Sequence, residues 1–184
     1  QFAFIFCERE SMRIGTLFFR TFFVLVAAAA AMSLTSLLGG GGAASAKTTC
    51  TANNNQRVEH NRGESNCIAN AGPGSRASAK DTTNSGAALA VATTGGTATA
   101  ENNGADSSAL ASGIYGGHGY AYTFGSHSSS VAQGRHGGTA IAVTGAAGGA
   151  FATSDGVACL GSMAATYDTR TGRGCFRWGE IYLR

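Results

Sequence analysis

The sequence predicts an all-β fold: a short flattened β-solenoid with about 10–11 residues per strand unit, two units per turn, and a C-terminal capping hairpin. Three observations carry this prediction. A small-x-Ala triplet returns every ten or eleven residues through the middle of the chain. Each unit alternates over four or five residues and is followed by Gly, Asn, Asp or Ser. Cysteine pairs stand on either side of the repeat.

Taken in chain order, residues 1–11 match nothing downstream and are expected to be a non-native N-terminal extension ahead of Met12. Residues 12–46 have the layout of a secretory signal peptide. Arg13 and Arg20 supply the positive region, Thr21 to Leu38 the apolar run, and Ala44-Ser45-Ala46 a small-x-small cleavage site. Thr21 to Leu38 is eighteen residues, long enough for an uncleaved anchor as the alternative. After cleavage no transmembrane segment would remain.

Residues 47–76 form an expected N-terminal cap with Cys50 and Cys67, and residues 157–184 a C-terminal hairpin cap with Cys159 and Cys175. An even cysteine count on an exported chain reads as disulfides. Of three pairings, the two local ones, Cys50–Cys67 and Cys159–Cys175, would staple the two ends. The spacing lacks the Cys-x-x-Cys or His-x-x-x-His of a metal site.

The repeat fills residues 77–156. The last Ala of each triplet falls at 79, 90, 100, 111, 121, 132, 142 and 152, and Cys67-Ile68-Ala69 fits one step earlier. Alternation with period two is a strand, and the Gly clusters supply turns with positive φ. An Ala-rich helix is the competing reading, but Gly costs a helix about 1 kcal/mol per position and recurs in every unit. A meander would not need the same residues at the same offset, whereas a coil stacks identical rungs. The first triplet position holds only Ala, Gly or Ser and the last is always Ala, while the middle position varies widely in volume. Steric strictness places Ala between two closely packed sheets. The alternative turns the larger middle residues inward. An Ala core gains little, about 0.8 kcal/mol per buried methyl, which gives the terminal disulfides a physical purpose. Past the repeat, Gly161 to Asp168 and Arg173 to Trp178 read as a hairpin covering the last rung, clipped by Cys159 and Cys175.

Three stretches carry a resemblance: the Cys50 … Cys67-Ile-Ala opening, the Ala/Gly triplets, and the closing Gly156-Val-Ala-Cys159 … Asp168-Thr-Arg-Thr-Gly-Arg-Gly-Cys175. They are similar to a family of small actinobacterial secreted proteins of unknown function, with Ala/Gly-rich repeats bracketed by cysteine pairs. The resemblance implies export and brings no catalytic residues. Ser129-Ser-Val-Ala-Gln-Gly134 has a looser similarity to the head repeats of trimeric autotransporter adhesins, which repeat at a different step.

Composition narrows the function classes. Of 184 residues, 28 are Gly, one is Pro and only 12% are charged. Gly is not at every third position, which excludes collagen, and a charge-poor, apolar-neutral chain is not the composition of disorder. A net charge of +3 without a dense basic cluster gives no nucleic-acid footprint. Gly116-Gly-His-Gly-Tyr-Ala121 has the glycines of a calcium roll but Ala in place of the ligating Asp. His118, His127 and His136 are out of phase with the repeat and read as solvated turn residues. Glu59, His60 and Glu64 have no nucleophile near them in sequence, and Glu101, Asp106 and Asp155 are isolated where a polysaccharide hydrolase needs clustered carboxylates. No cofactor or metal is expected.

The reading is a secreted or cell-envelope-associated, non-enzymatic structural or binding protein. The expected interaction surface is the row Leu89, Leu110, Val131 and Phe151, with Tyr120 on the opposite sheet and Tyr122 beside it. Such a row serves self-association or an envelope component. The alternative is a carbohydrate- or glycolipid-binding protein whose aromatic patch comprises Tyr115, Tyr120, Tyr122 and Phe124.

Overall fold

The structure, a computed structural model, describes residues 47–184. The expected extension and export signal lie outside the described residues. Strands alternate between two sheets as the chain advances. One sheet, A, receives β1 (Thr48–Asn53), β4 (Arg76–Asp81), β6 (Thr97–Asn102), β8 (His118–Thr123), β10 (Thr139–Thr144), β13 (Met163–Asp168), β14 (Arg173–Trp178) and β15 (Ile181–Leu183), in that spatial order. The other, B, holds β2 (Gln56–Arg62), β3 (Ser65–Ala71), β5 (Gly86–Thr93), β7 (Ser107–Ile114), β9 (Ser129–Arg135), β11 (Gly148–Thr153) and β12 (Gly156–Gly161). The chain is therefore a β-solenoid of about four turns, as the repeat predicts.

The coil is visible in the register. Strand β6 pairs β8 in parallel with Ala100 beside Ala121, and β8 pairs β10 with Ala121 beside Ala142. On the other sheet Ala69, Ala90, Ala111 and Ala132 form the matching ladder. Every one of these alanines is buried, at 3% exposure or less. The steric reading of the triplet is the observed one: Ala fills the space between the sheets and the middle residues face outward. Ala111→Leu is accordingly expected to overpack the interior and cost about 1–3 kcal/mol, more than Leu110→Ser on the outside. Thermal melts of the two variants check the order.

Turns need left-handed backbone, and Gly supplies only part of it. Thr94, Tyr115 and His136 all have φ of 51–52°, each followed by a Gly at 73–75°. Two consecutive positive φ values define the tight turn that folds one sheet back onto the other. His127 is also a turn residue, but His118 begins β8 and is half-buried, so the reading of three turn histidines is corrected for His118. Where the coil narrows, backbones touch. A methyl group on Gly113 would collide with the Thr97 carbonyl, and one on Gly134 with that of His118.

The interior is not all alanine. Along one flank Thr48, Asp81, Asn102, Thr123 and Thr144 turn inward from sheet A, each at 4% exposure or less. The Ser65 hydroxyl donates to Asp81 Oδ2 at 2.7 Å and meets Thr48 Oγ1 at 3.0 Å. Asp81 Oδ1 accepts from the Thr83 N–H (3.0 Å), the Thr83 hydroxyl (2.8 Å) and Asn102 Nδ2 (3.1 Å). Thr123 continues the flank through the Ser130 hydroxyl at 2.8 Å. A buried carboxylate is tolerated because four donors replace its water.

Both ends are closed by antiparallel strands on a parallel stack. At the start β1 pairs β4 and β2 pairs β3; at the finish β12 pairs β11 and β13 pairs β10. Cys50 is bonded to Cys67, joining β1 to β3 across the sheets with Cα atoms 5.8 Å apart. Cys159 is bonded to Cys175, with Cα atoms 6.0 Å apart. That second bridge corrects one expectation. The hairpin is β13–β14, with Thr166 opposite Cys175, so Cys159 on β12 ties one sheet to the other and does not clip the hairpin across its own pair. Alternation explains it: Cys159 and Cys175 both face inward, and only the opposite sheet lies within reach.

Candidate interaction surfaces

Because the triplet's outer residue varies freely, the outer faces are where this chain can carry function. On sheet B, cross-strand pairing aligns Ile68, Leu89, Leu110, Val131 and Phe151, with Ala158 completing the ladder. Leu89, Leu110, Val131 and Phe151 are each half-buried, because neighbours about 4.8 Å apart in a stack cover one another's flanks. The row is flanked by small polar residues: Ser108 and Ser129 share a hydrogen bond at 3.2 Å. Sequence spacing places the four residues correctly beside one another and misses the extension to Ile68, whose triplet begins with Cys.

Tyr120 and Tyr122 belong to the opposite face. On sheet A Tyr120 stands between Thr99 and Ile141, and Tyr122 between Glu101 and Val143. Glu101 is held by Lys80 Nζ at 2.6 Å. Burial first, then the Glu101 carboxylate and Tyr120, push the Tyr122 phenol above its ordinary pKa of 10.0. The ring therefore stays neutral at physiological pH. The expected aromatic patch is not formed. Tyr115 sits in a turn and stacks on His136 with ring centres 5.3 Å apart, while Tyr122 stacks on Phe124 at 6.4 Å. The residues are close in sequence, but the coil sends Tyr115 to a corner and Tyr120 and Tyr122 to the flat face, with Phe124 just past the end of β8.

The described residues give little purchase for chemistry at a centre. No group of three or more His, Cys, Asp or Glu among them could hold a metal. Glu59 accepts from Arg57 at 3.1 Å on an exposed strand, which leaves it a surface ion pair. His127 lies 3.8 Å from Asp106, both well exposed. Two open concavities among the described residues lie near the first turns of the coil. One is lined by Asn53, Asn54, Gly74, Ser75, Arg76, Gly96 and Thr97, the other by residues of β1 and β2 with Lys47.

Sequence reasoning misses one surface altogether. Strands β14 and β15 continue sheet A, while sheet B ends at β12. Register places Phe176 beside Ala165 and Leu183, and Trp178 beside Met163 and Ile181, all on the outer face. Trp178 is 61% exposed, Ile181 58% and Leu183 61%. The only advance signal is that β14 and β15 carry apolar residues at alternate positions after the repeat has ended.

Two bridges fit an extracellular, oxidising location. Among the described residues no helix is long and apolar enough to cross a membrane. Compared with known proteins, residues 14–178 match a family of unknown function, DUF6764. No curated protein and no solved structure matches.

Proposed function

The chain belongs to the DUF6764 family of unknown function, and from that premise we propose that it is a secreted or cell-envelope-associated binding scaffold without enzymatic activity. The observation that carries this is the in-register apolar ladder Leu89, Leu110, Val131 and Phe151 on a rigid sheet. A uniform row held by a stack of identical rungs is suited to repeated contact along its length, as in other solenoids that bind through extended surfaces. Apolar rows of this kind on soluble proteins generally serve association. The contact is with a second copy or with a component of the envelope. The two bridges support an exported setting, since such staples persist only where thiols are not kept reduced.

Leu110→Ser with Val131→Ser is the direct test. Both side chains lie on the outer face, so the double variant is expected to fold and to lose about tenfold or more in association, equivalent to about 1.4 kcal/mol. Sedimentation and retention by isolated envelope fractions, alongside a thermal melt, provide the readout. A folded variant that associates as before would remove the ladder from the function.

A further inference from the structure

We propose that the chain forms a symmetric dimer by packing the apolar half of sheet A's outer face against the same face of a second copy. The inference does not rest on the Leu89–Phe151 ladder, which lies on the opposite sheet. Pairing carries the outer residues of sheet A across the fold in rows. Lys80 and Glu101 lead the central row, on β4 and β6. From β8 onward the same row holds Tyr122, Val143, Ala165, Phe176 and Leu183. Tyr120, Ile141 and Tyr167 run beside it on one flank. On the other, Met163, Trp178 and Ile181 do the same, and Phe124 stacks on Tyr122 just past β8. The face thus turns from polar to apolar once, and stays apolar over the five strands from β8 to β15. At about 4.8 Å between strands that is a breadth of roughly 20 Å.

Area, charge and shape together point to the occupant. Phe124, Tyr167, Phe176, Trp178, Ile181 and Leu183 stand at 38–61% exposure. With about 150–250 Å² on each aromatic side chain and rather less on each aliphatic one, these six and their half-buried neighbours expose on the order of 700 Å². The largest apolar patch of a typical monomer is about 300–600 Å², whereas a stable interface takes about 800 Å² from each partner. Arg173 and Arg177 pair with Asp168 and Ala164 and so lie on the inward side of β14. Lys80 and Glu101, at the margin, neutralise each other at 2.6 Å. A face without net charge does not repel its own copy and offers nothing to attract a partner of opposite charge. Thr97, His118 and Thr139 border it on the Tyr120 flank. An apolar centre rich in Tyr, Trp, Phe and Met inside a polar rim is the anatomy of a protein–protein interface.

A second copy supplies a sheet face of the same extent and chemistry. Two such faces pack about 10 Å apart with their side chains interdigitated, and an isologous contact covers both patches at once. A bilayer fits less well. Interfacial anchors set basic residues beside their apolar ones, and β8, β10 and β13–β15 place no Lys or Arg on this face. Pairing edge to edge along β15 would leave Phe176 and Trp178 uncovered. Face-to-face packing also leaves one Leu89–Phe151 ladder on each outward side. Where the ladder binds as proposed above, the dimer is bivalent and gains avidity from two contacts.

Trp178 is the sole tryptophan of the chain, so its emission reports burial of this face. The full chain is diluted from high-micromolar to nanomolar concentration while sedimentation gives its mass. Mass is expected to halve and emission to move to the red over the same range. Phe176→Ser with Leu183→Ser is expected to raise the dissociation constant about tenfold or more while the thermal melt is retained. Phe124→Ser, at the other margin, acts in the same direction and decides the matter if the first variant does not fold. Leu110→Ser with Val131→Ser leaves the Trp178 transition in place, which separates this face from the ladder. The apolar run of residues 21–38 is common to every variant, so differences between them belong to the face. Emission that ignores concentration overturns the proposal. So does a transition lost in the Leu110/Val131 variant and kept in the Phe176/Leu183 variant, which assigns self-association to the ladder. A blue shift caused by phosphatidylcholine vesicles at dilutions where the chain is monomeric gives the face to lipid and equally defeats it.

Discussion

Reduction of both disulfides is expected to lower the folding free energy by about 6 kcal/mol, because each closes a loop worth about 3 kcal/mol in the chain-entropy account. The bridges span sequence separations of 17 and 16 residues, and they sit at opposite ends of the coil, so their effects should add. A total of this size is comparable to the whole stability of many domains, about 5–15 kcal/mol. The physical reason lies in the core. Its apolar side chains are overwhelmingly Ala, with Val157, at 7% exposure, the largest among the buried ones. Removing methyl groups from water contributes modestly per residue, so the order imposed by the staples weighs more here than in a core of Leu and Phe. Urea titrations with and without reductant measure it. An unchanged midpoint would mean that backbone pairing and the buried polar flank suffice.

Asp81→Ala should be the most damaging single substitution, at about 3 kcal/mol or more. It removes the acceptor shared by the Ser65 hydroxyl, the Thr83 N–H and hydroxyl and the Asn102 carboxamide. Each buried donor left unpaired costs about 1–3 kcal/mol. Asp106→Ala, whose His127 contact is exposed, provides the control and should shift stability by less than about 1 kcal/mol. Equal denaturant midpoints for the two variants would show that water fills the Asp81 site.

Much of this architecture could be read without coordinates because sterics leaves a written trace. Positions such as 90, 100, 111 and 121 admit only Ala, and that refusal of larger residues reveals both the period and the inward face. Partner chemistry leaves no such trace. Asp81-Thr-Thr and Asn102-Asn-Gly look like ordinary turn sequence, and only three-dimensional stacking brings Asp81 under Asn102 and beside Ser65. Left-handed backbone at Thr94, Tyr115 and Ala147 is equally unannounced, since these residue types seldom adopt it. The exposed end at Trp178 was hidden for another reason. A terminal hairpin reads as a lid, but whether its outer face meets protein or solvent depends on where the facing sheet stops. The aromatic residues near 115–124 mislead through proximity: adjacent in sequence, they are divided between a corner and a face.

The alternation of sheets from one strand to the next makes the length of this protein discontinuous. A single unit of ten or eleven residues cannot be gained or lost, because every later strand would then arrive on the wrong sheet. Only a full pair of units, such as the 21 residues from Thr97 to Gly117, returns the chain to the same place one storey lower. Relatives of different size should therefore differ by whole storeys between unchanged ends, a molecular yardstick that lengthens the Leu89–Phe151 row while keeping the β13–β15 end as its foot.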